Sequence, residues 1–194
     1  AGIPDITNAT ITSSPLVFAI PTNVAPGVYN GVLTVTNSTT SVTSINYNIT
    51  VSVVGNPTLS ITNTPAVCQG ITSSSVNFSG TTNSPNQYSI DYNSTANIAG
   101  FLDLLNQTIS GSSIPLVVPA AGSPAAYSVN LTVVNTTTSC QTIYPITVTI
   151  NTNPTATFGG NPSVVVGTTS TSVALSSIQG APNQFSIDYD ATAN

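Results

Sequence analysis

Residues 85–97 read PNQYSIDYNSTAN, and residues 182–194 read PNQFSIDYDATAN. Ten of the thirteen positions are identical. The exceptions are mild: Tyr88 against Phe185, Asn93 against Asp190, Ser94 against Ala191. Tyr88, Ile90 and Tyr92 recur at every second position. That period marks a half-buried β-strand and places Asp91 on its wetter face. The two copies lie 97 residues apart in a chain of 194.

The repeat extends well beyond this stretch. AGIPDITNATI from Ala1 aligns with AGFLDLLNQTI from Ala99, and PGVYNGVLTVTNSTTSV with PAAYSVNLTVVNTTTSC. Near Ile49 the offset slips from 98 to 97; beyond it NPTLSI matches NPTATF, and SVNFS matches SVALS. A repeat of this length exceeds a helical solenoid unit and suits one small β-sandwich. One copy runs complete from about residue 56 to 152. Residues 1–52 then correspond to the second half of a repeat, and 154–194 to the first half of another. The favoured expectation is a window on a longer tandem array. The alternative is a subunit whose half-domains are completed by neighbouring copies through strand complementation.

Composition removes whole classes of function. The chain has no Lys, Arg or His, and its five acidic residues are all Asp: Asp5, Asp91, Asp103, Asp188 and Asp190. Without cationic side chains, neither nucleic acid nor an anionic membrane surface is an expected partner. A histidine base, a Schiff-base lysine and an arginine clamp are all excluded within the chain. So are isopeptide cross-links, which need a lysine amine. The positive mean hydropathy reflects missing charge. No apolar run approaches the roughly 20 residues of a membrane-spanning helix, and membrane insertion is not expected. Ala1 opens no recognisable signal peptide, so a mature chain or a fragment is expected.

Thr, Val, Ile and Tyr favour strands, while Asn, Gly, Pro and Ser supply turns. Period-two alternation recurs in AYSVNLTVV (Tyr127, Val129, Leu131, Val133) and in YPITVTI (Ile146, Val148, Ile150). Val76 with Phe78, and IPLVV around Leu116, mark further strands. No segment of ten or more residues has a helical period. The expected fold is all-β: tandem immunoglobulin-like β-sandwich repeats of about 97 residues. Tyr127 opens a late strand, as a tyrosine-corner residue does, and Tyr29 is its repeat counterpart. The plainer reading of Tyr127 is a core aromatic. A hydroxyl bond to backbone separates the two.

Cys68 and Cys140 both lie in the complete copy, and their counterparts Val165 and Val42 are both valine. Joint presence and joint loss suggest a Cys68–Cys140 disulfide. Closing that loop would contribute about 4 kcal/mol and implies an oxidising, extracytoplasmic setting. The alternative is two free buried thiols, each behaving as a small hydrophobe. Asp188 and Asp190 share a strand face and form a weak calcium candidate. Against it, the matching positions are Asp91 and Asn93, and no calcium-loop motif is present. No other metal site and no cofactor are expected. A carboxylate pair without a base or a raised-pKa acid does not make a glycosidase, and no enzyme is expected. Asp5 and Asp103, each after an AG turn, suggest turn or capping roles. Eight Asn-x-Ser/Thr sequons (Asn8, Asn37, Asn48, Asn77, Asn93, Asn106, Asn130, Asn135) offer glycan sites or reflect composition alone.

Taken together, NQYSIDY, AGFLD and IPLVVPAAGSPAAYSVNLTVVNTTTSC resemble the tandem repeats of giant cell-surface adhesins of the Bacteroidota, including gliding-motility adhesins of the SprB type. The resemblance covers nearly the whole chain. It implies Ig-like or PKD-like domains, export by the type IX route and a fibrous surface role. The cysteines of VCQG and TTTSC fit that pattern; Val42 and Val165 depart from it. It carries no catalytic residues. The expectation is a stalk segment of an extracellular adhesin, whose partners are neighbouring copies of the repeat and surface polysaccharide or another cell-surface protein. The alternatives are a self-assembling filament or sheath subunit and a glycan-binding module.

Overall fold

The computed structural model describes residues 2–12 and 14–189. Their regular secondary structure is almost entirely β. In chain order the elements are β1 (Gly27–Leu33), β2 (Thr36–Asn37), β3 (Val42–Thr43), β4 (Tyr47–Val53), β5 (Thr58–Ile61), β6 (Ala66–Cys68), β7 (Ser73–Thr82), β8 (Gln87–Tyr92), α1 (Ser94–Ile98), β9 (Leu104–Thr108), β10 (Ser113–Val117), β11 (Ala125–Asn135), β12 (Cys140–Asn151), β13 (Thr155–Phe158) and β14 (Leu175–Gln179). No helix among the described residues is long and apolar enough to cross a membrane.

Residues 58–151 carry two sheets, a three-stranded one in the order β10-β7-β5 and a five-stranded one in the order β6-β12-β11-β8-β9. Their inner faces share one apolar core. Val76, Phe78, Ile114 and Leu116 come from the smaller sheet; Tyr88, Ile90, Leu131, Val133 and Val148 come from the larger. The alternation seen in the sequence is the alternation of burial. On β11, Tyr127, Val129, Leu131 and Val133 are buried, and Ser128 and Asn130 between them are exposed. Asp91 is exposed between buried Ile90 and Tyr92.

The first strand is split between the sheets. β5 pairs antiparallel with β7, and after Pro65 the chain crosses to pair β6 parallel with β12. The Tyr144 hydroxyl on β12 accepts a 2.8 Å bond from the backbone N–H of Leu59 on β5, which ties the sheets across that corner.

The helix is the element that the sequence pattern does not announce. α1 has five residues, too short to show a period. Its start has a local signature: the Asn93 side chain accepts from the Ala96 N–H at 2.9 Å, as an N-cap does. Ala96 and Phe101 fill the end of the core, with the Phe101 ring 4.7 Å from Tyr92 and 4.9 Å from Tyr127.

The flanking segments repeat the hairpins of the central sandwich. β1 and β4 pair Tyr29 with Val51, Gly31 with Ile49 and Leu33 with Tyr47; β11 and β12 pair Tyr127 with Val148, Val129 with Ile146 and Leu131 with Tyr144. Offsets of 98 and 97 map one register onto the other. Likewise β13 pairs Phe158 with Leu175 and Thr157 with Ser176, as β5 pairs Ile61 with Phe78 and Ser60 with Ser79, and both ladders are irregular at matching places. Left-handed residues recur at matching positions too: Asn8 and Asn106, Ser41 and Ser139, Gly80 and Ser177, Asn83 and Gly180, Ser84 and Ala181. The slip expected near Ile49 falls before Tyr47. There β11 and β12 run as one ladder, whereas the flanking hairpin breaks into β1–β4 and β2–β3, bridged by Ser44 N–H to the Val35 carbonyl at 2.8 Å.

Candidate functional site

The central sandwich has two poles, and the chain enters at one and leaves at the other. At the entry pole the Asn83 side-chain amide donates to the Asn56 carbonyl at 2.8 Å, and Asn135 donates to the Asn83 carbonyl at 2.8 Å. Gly55 belongs to this contact: a Cβ there would stand 2.7 Å from the Asn83 amide nitrogen. At the exit pole Asn153 donates to the Gln69 carbonyl at 3.1 Å, and the Gln69 N–H donates to Asn151 at 2.9 Å. Gly180 takes the place of Asn83 in the following copy, and a Cβ on it would meet the Asn153 carbonyl at 2.6 Å. Both linkers are thus held by short polar contacts to the turns beside them. Pro57 and Pro154 add fixed φ angles just after the two asparagines.

The cysteines do not meet, which corrects the expected Cys68–Cys140 disulfide. Both are free thiols. Cys68 ends β6 opposite Asn151, at the exit pole, while Cys140 begins β12 at the turn of the β11–β12 hairpin. Those two positions on β12 are eleven residues apart, about 36 Å of extended strand. A disulfide needs Cα atoms within about 7 Å. The crossing of the first strand between sheets is the physical cause: it carries Cys68 along β12 to the far end.

The acidic residues are dispersed. Asp188 is exposed, and Asp190 lies outside the described residues. Among the described residues no group of three or more acidic or cysteine side chains is gathered to hold a metal ion. Asn93, the counterpart of Asp190, caps α1. Asp103 accepts the Tyr92 N–H at 2.8 Å and so pins the end of β8 to the segment after the helix. The Tyr92 hydroxyl is buried without a hydrogen-bond partner. Burial, with the Asp103 charge second, pushes its pKa up to about 12. Burial also raises Tyr88.

Both late-strand tyrosines bond backwards to backbone. The Tyr127 hydroxyl donates to the Ser123 carbonyl at 2.7 Å, and Tyr29 donates to Ala25 at 2.9 Å, each four residues upstream. The turns of the two long hairpins match as well. Asn135 accepts from the N–H groups of Thr137 and Thr138, and Asn37 from those of Thr39 and Thr40. Asn37, Asn93 and Asn135 therefore use sequon side chains to hold turns or a helix end.

Apolar side chains are also exposed on the flanks. Phe185 and Ile187 are 84% and 61% exposed, whereas their counterparts Tyr88 and Ile90 are 5% and 1% exposed. Leu16 and Val173 are 49% and 40% exposed; their counterparts Ile114 and Val76 are fully buried. Sequence alignment names these residues as inward-facing, but does not show that they lie bare. No model of a known protein family matches the chain, and a search of curated proteins finds no match to it.

Proposed function

We propose that this chain is a structural repeat segment of a long extracellular adhesin, a stalk that carries an adhesive contact away from the cell surface. The observation that carries the reading is the recurrence of the same hairpins, in the same register, on both sides of a complete two-sheet unit. The units follow one another pole to pole through short Asn-Pro linkers. The strand order supports an immunoglobulin-like sandwich, and the backward bonds of Tyr127 and Tyr29 support tyrosine corners. The domains on this reading are residues 56–152 complete, 1–52 the later half of one repeat, and 154–194 the earlier half of another.

The chemistry suits an exposed fibre. Without Lys or Arg there is no trypsin site, and with five acidic residues in 194 neighbouring fibres repel one another weakly. The resemblance to repeats of giant Bacteroidota surface adhesins points the same way, with surface polysaccharide or another surface protein as the distal partner. No step of catalysis is assigned to the chain.

The test is the covalent mass of the native, reduced protein under denaturing conditions, with trypsin resistance alongside. A mass of hundreds of kilodaltons that survives trypsin supports the stalk. A mass near 19.6 kDa, or tryptic cleavage of the native protein, overturns it.

A further inference from the structure

We infer that Gly55 and Asn83 form a size-matched pair that locks the linker entering the central unit, and that their repeat counterparts, Thr152 and Gly180, are the alternative filling of the same joint at the exit. Nothing in this requires the adhesin reading, since every residue involved lies at a joint within this chain.

Space, not backbone shape, makes position 55 a glycine. Gly55 is not among the glycines with positive φ, so its conformation does not demand one. A Cβ on it would stand 2.7 Å from the Nδ2 and 3.2 Å from the Cγ of Asn83, and 3.3 Å from the Cγ of Pro26. The Asn83 side chain fills that space and donates to the Asn56 carbonyl at 2.8 Å. Asn83 is held in turn. Asn135 donates to its carbonyl at 2.8 Å and accepts from the N–H groups of Thr137 and Thr138. A run of side-chain bonds therefore leads from the β11–β12 turn to the linker, and the last of them is a wedge beside Gly55.

The exit joint exchanges the two sizes. Thr152 stands where Gly55 does, and Gly180 where Asn83 does. Asn83 and Gly180 share a left-handed backbone, with φ of 53° and 66°. Yet a Cβ on Gly180 would come within 2.6 Å of the Asn153 carbonyl oxygen and 2.7 Å of the Pro154 nitrogen. The turn there lies directly against the linker backbone and leaves no room for a wedge. The exchange also balances stiffness. Glycine has the most permissive backbone, so the entry linker would pivot at Gly55 unless something outside it held it. Thr152 carries a branched Cβ that favours extended backbone, so the close approach of Gly180 is enough. Each joint thus keeps one side chain at the pair: the flexible linker residue has the wedge, and the stiff one does without.

The test is NMR relaxation of backbone nitrogens in the full chain, read at Val54, Gly55 and Asn56, with β11 as the internal reference for folding. The parent linker is expected to be as ordered as the strands, with order parameters of about 0.85. Asn83→Gly keeps the left-handed backbone and removes only the wedge. It should drop Gly55 below about 0.6 while the values along β11 hold. Gly55→Thr alone should evict the Asn83 side chain, whose amide then loses its protection from exchange with water. Gly55→Thr together with Asn83→Gly recreates the exit pair and should return position 55 to about 0.85. An entry linker already disordered in the parent overturns the inference. So do a Gly55 that stays ordered in Asn83→Gly, an Asn83 amide that stays protected in Gly55→Thr, and a double variant no more ordered than Asn83→Gly alone.

Discussion

Leu131 and Leu33 occupy the same place in the same kind of hairpin, yet they live in different surroundings. Leu131 pairs with Tyr144 and is sealed beneath the opposite sheet; Leu33 pairs with Tyr47 and is only half-buried. The hairpin is common to both, so local sequence and turn chemistry suffice to define it. What differs is the second layer. Burial across two sheets, rather than strand pairing, separates a stable unit from a preformed but uncovered one.

The largest break in that comparison should come from truncation. Leu131→Ala is expected to destabilise the central unit by about 3 kcal/mol, as cavity formation in a closed core does. Leu33→Ala should cost under about 1 kcal/mol on the same denaturant-unfolding transition, because the side chain already meets water in part and has no second sheet over it. Equal effects would mean that the flank is packed as tightly as the centre.

The tyrosine bonds give a smaller contrast. Tyr127→Phe should lower stability by about 1 kcal/mol, the net value of one hydrogen bond. Tyr29→Phe should scarcely move the main transition and should instead speed amide exchange in β1. Reversal of that order would show that the flank sets the cooperativity of unfolding.

Alkaline titration sharpens the core side. Tyr92 titrates near 12 in the folded state and near 10 when unfolded. The folded state therefore holds its proton more tightly. Stability is unaffected below about pH 10 and falls as pH climbs from there towards 12. Tyr92→Phe should flatten that fall in melting temperature. At neutral pH it should be neutral or slightly stabilising, since it removes a buried hydroxyl that has no partner. A steeper alkaline fall in the variant would contradict this.

The smallest effect is expected at the cysteines. Cys68→Val and Cys140→Val should each change stability by no more than about 0.5 kcal/mol, as surface substitutions do. Reducing agent should leave the melting of the parent chain unmoved. A reductant-sensitive melt would bring the disulfide back.

Much of the fold was legible because period-two alternation reports directly on a sheet with one buried face. Tyr127, Val129, Leu131 and Val133 announce their strand, and the repeat announces where it recurs. The helix was not legible, because five residues carry no period and Asn93 is its main cue. The cysteine pair was misread for a different reason. Joint replacement by valine says that two positions change together, not that they touch. Their separation depends on where the first strand leaves one sheet for the other, and Pro65 gives only a faint sign of that. The pinning of β8 by Asp103 and the asparagine contacts at the poles are non-local, so spacing along the chain could not reveal them. The exposure of Phe185 and Ile187 was equally out of reach of the alignment, because it depends on what packs against them and not on their own pattern.

The crossing of the first strand between sheets also decides how the unit answers force. Tension applied through the two linkers would enter at Asn56 and leave at Asn153, at opposite poles. It draws β6 and β12, paired parallel through Ala66, Val67 and Cys68, in opposite directions along their length. Such a ladder is loaded in shear, so its bonds must fail together rather than peel apart one by one. Single-molecule pulling would then find a sharp, high-force rupture that a proline in place of Val67 lowers. The strand that kept the two cysteines apart is, under tension, the latch that keeps the unit shut.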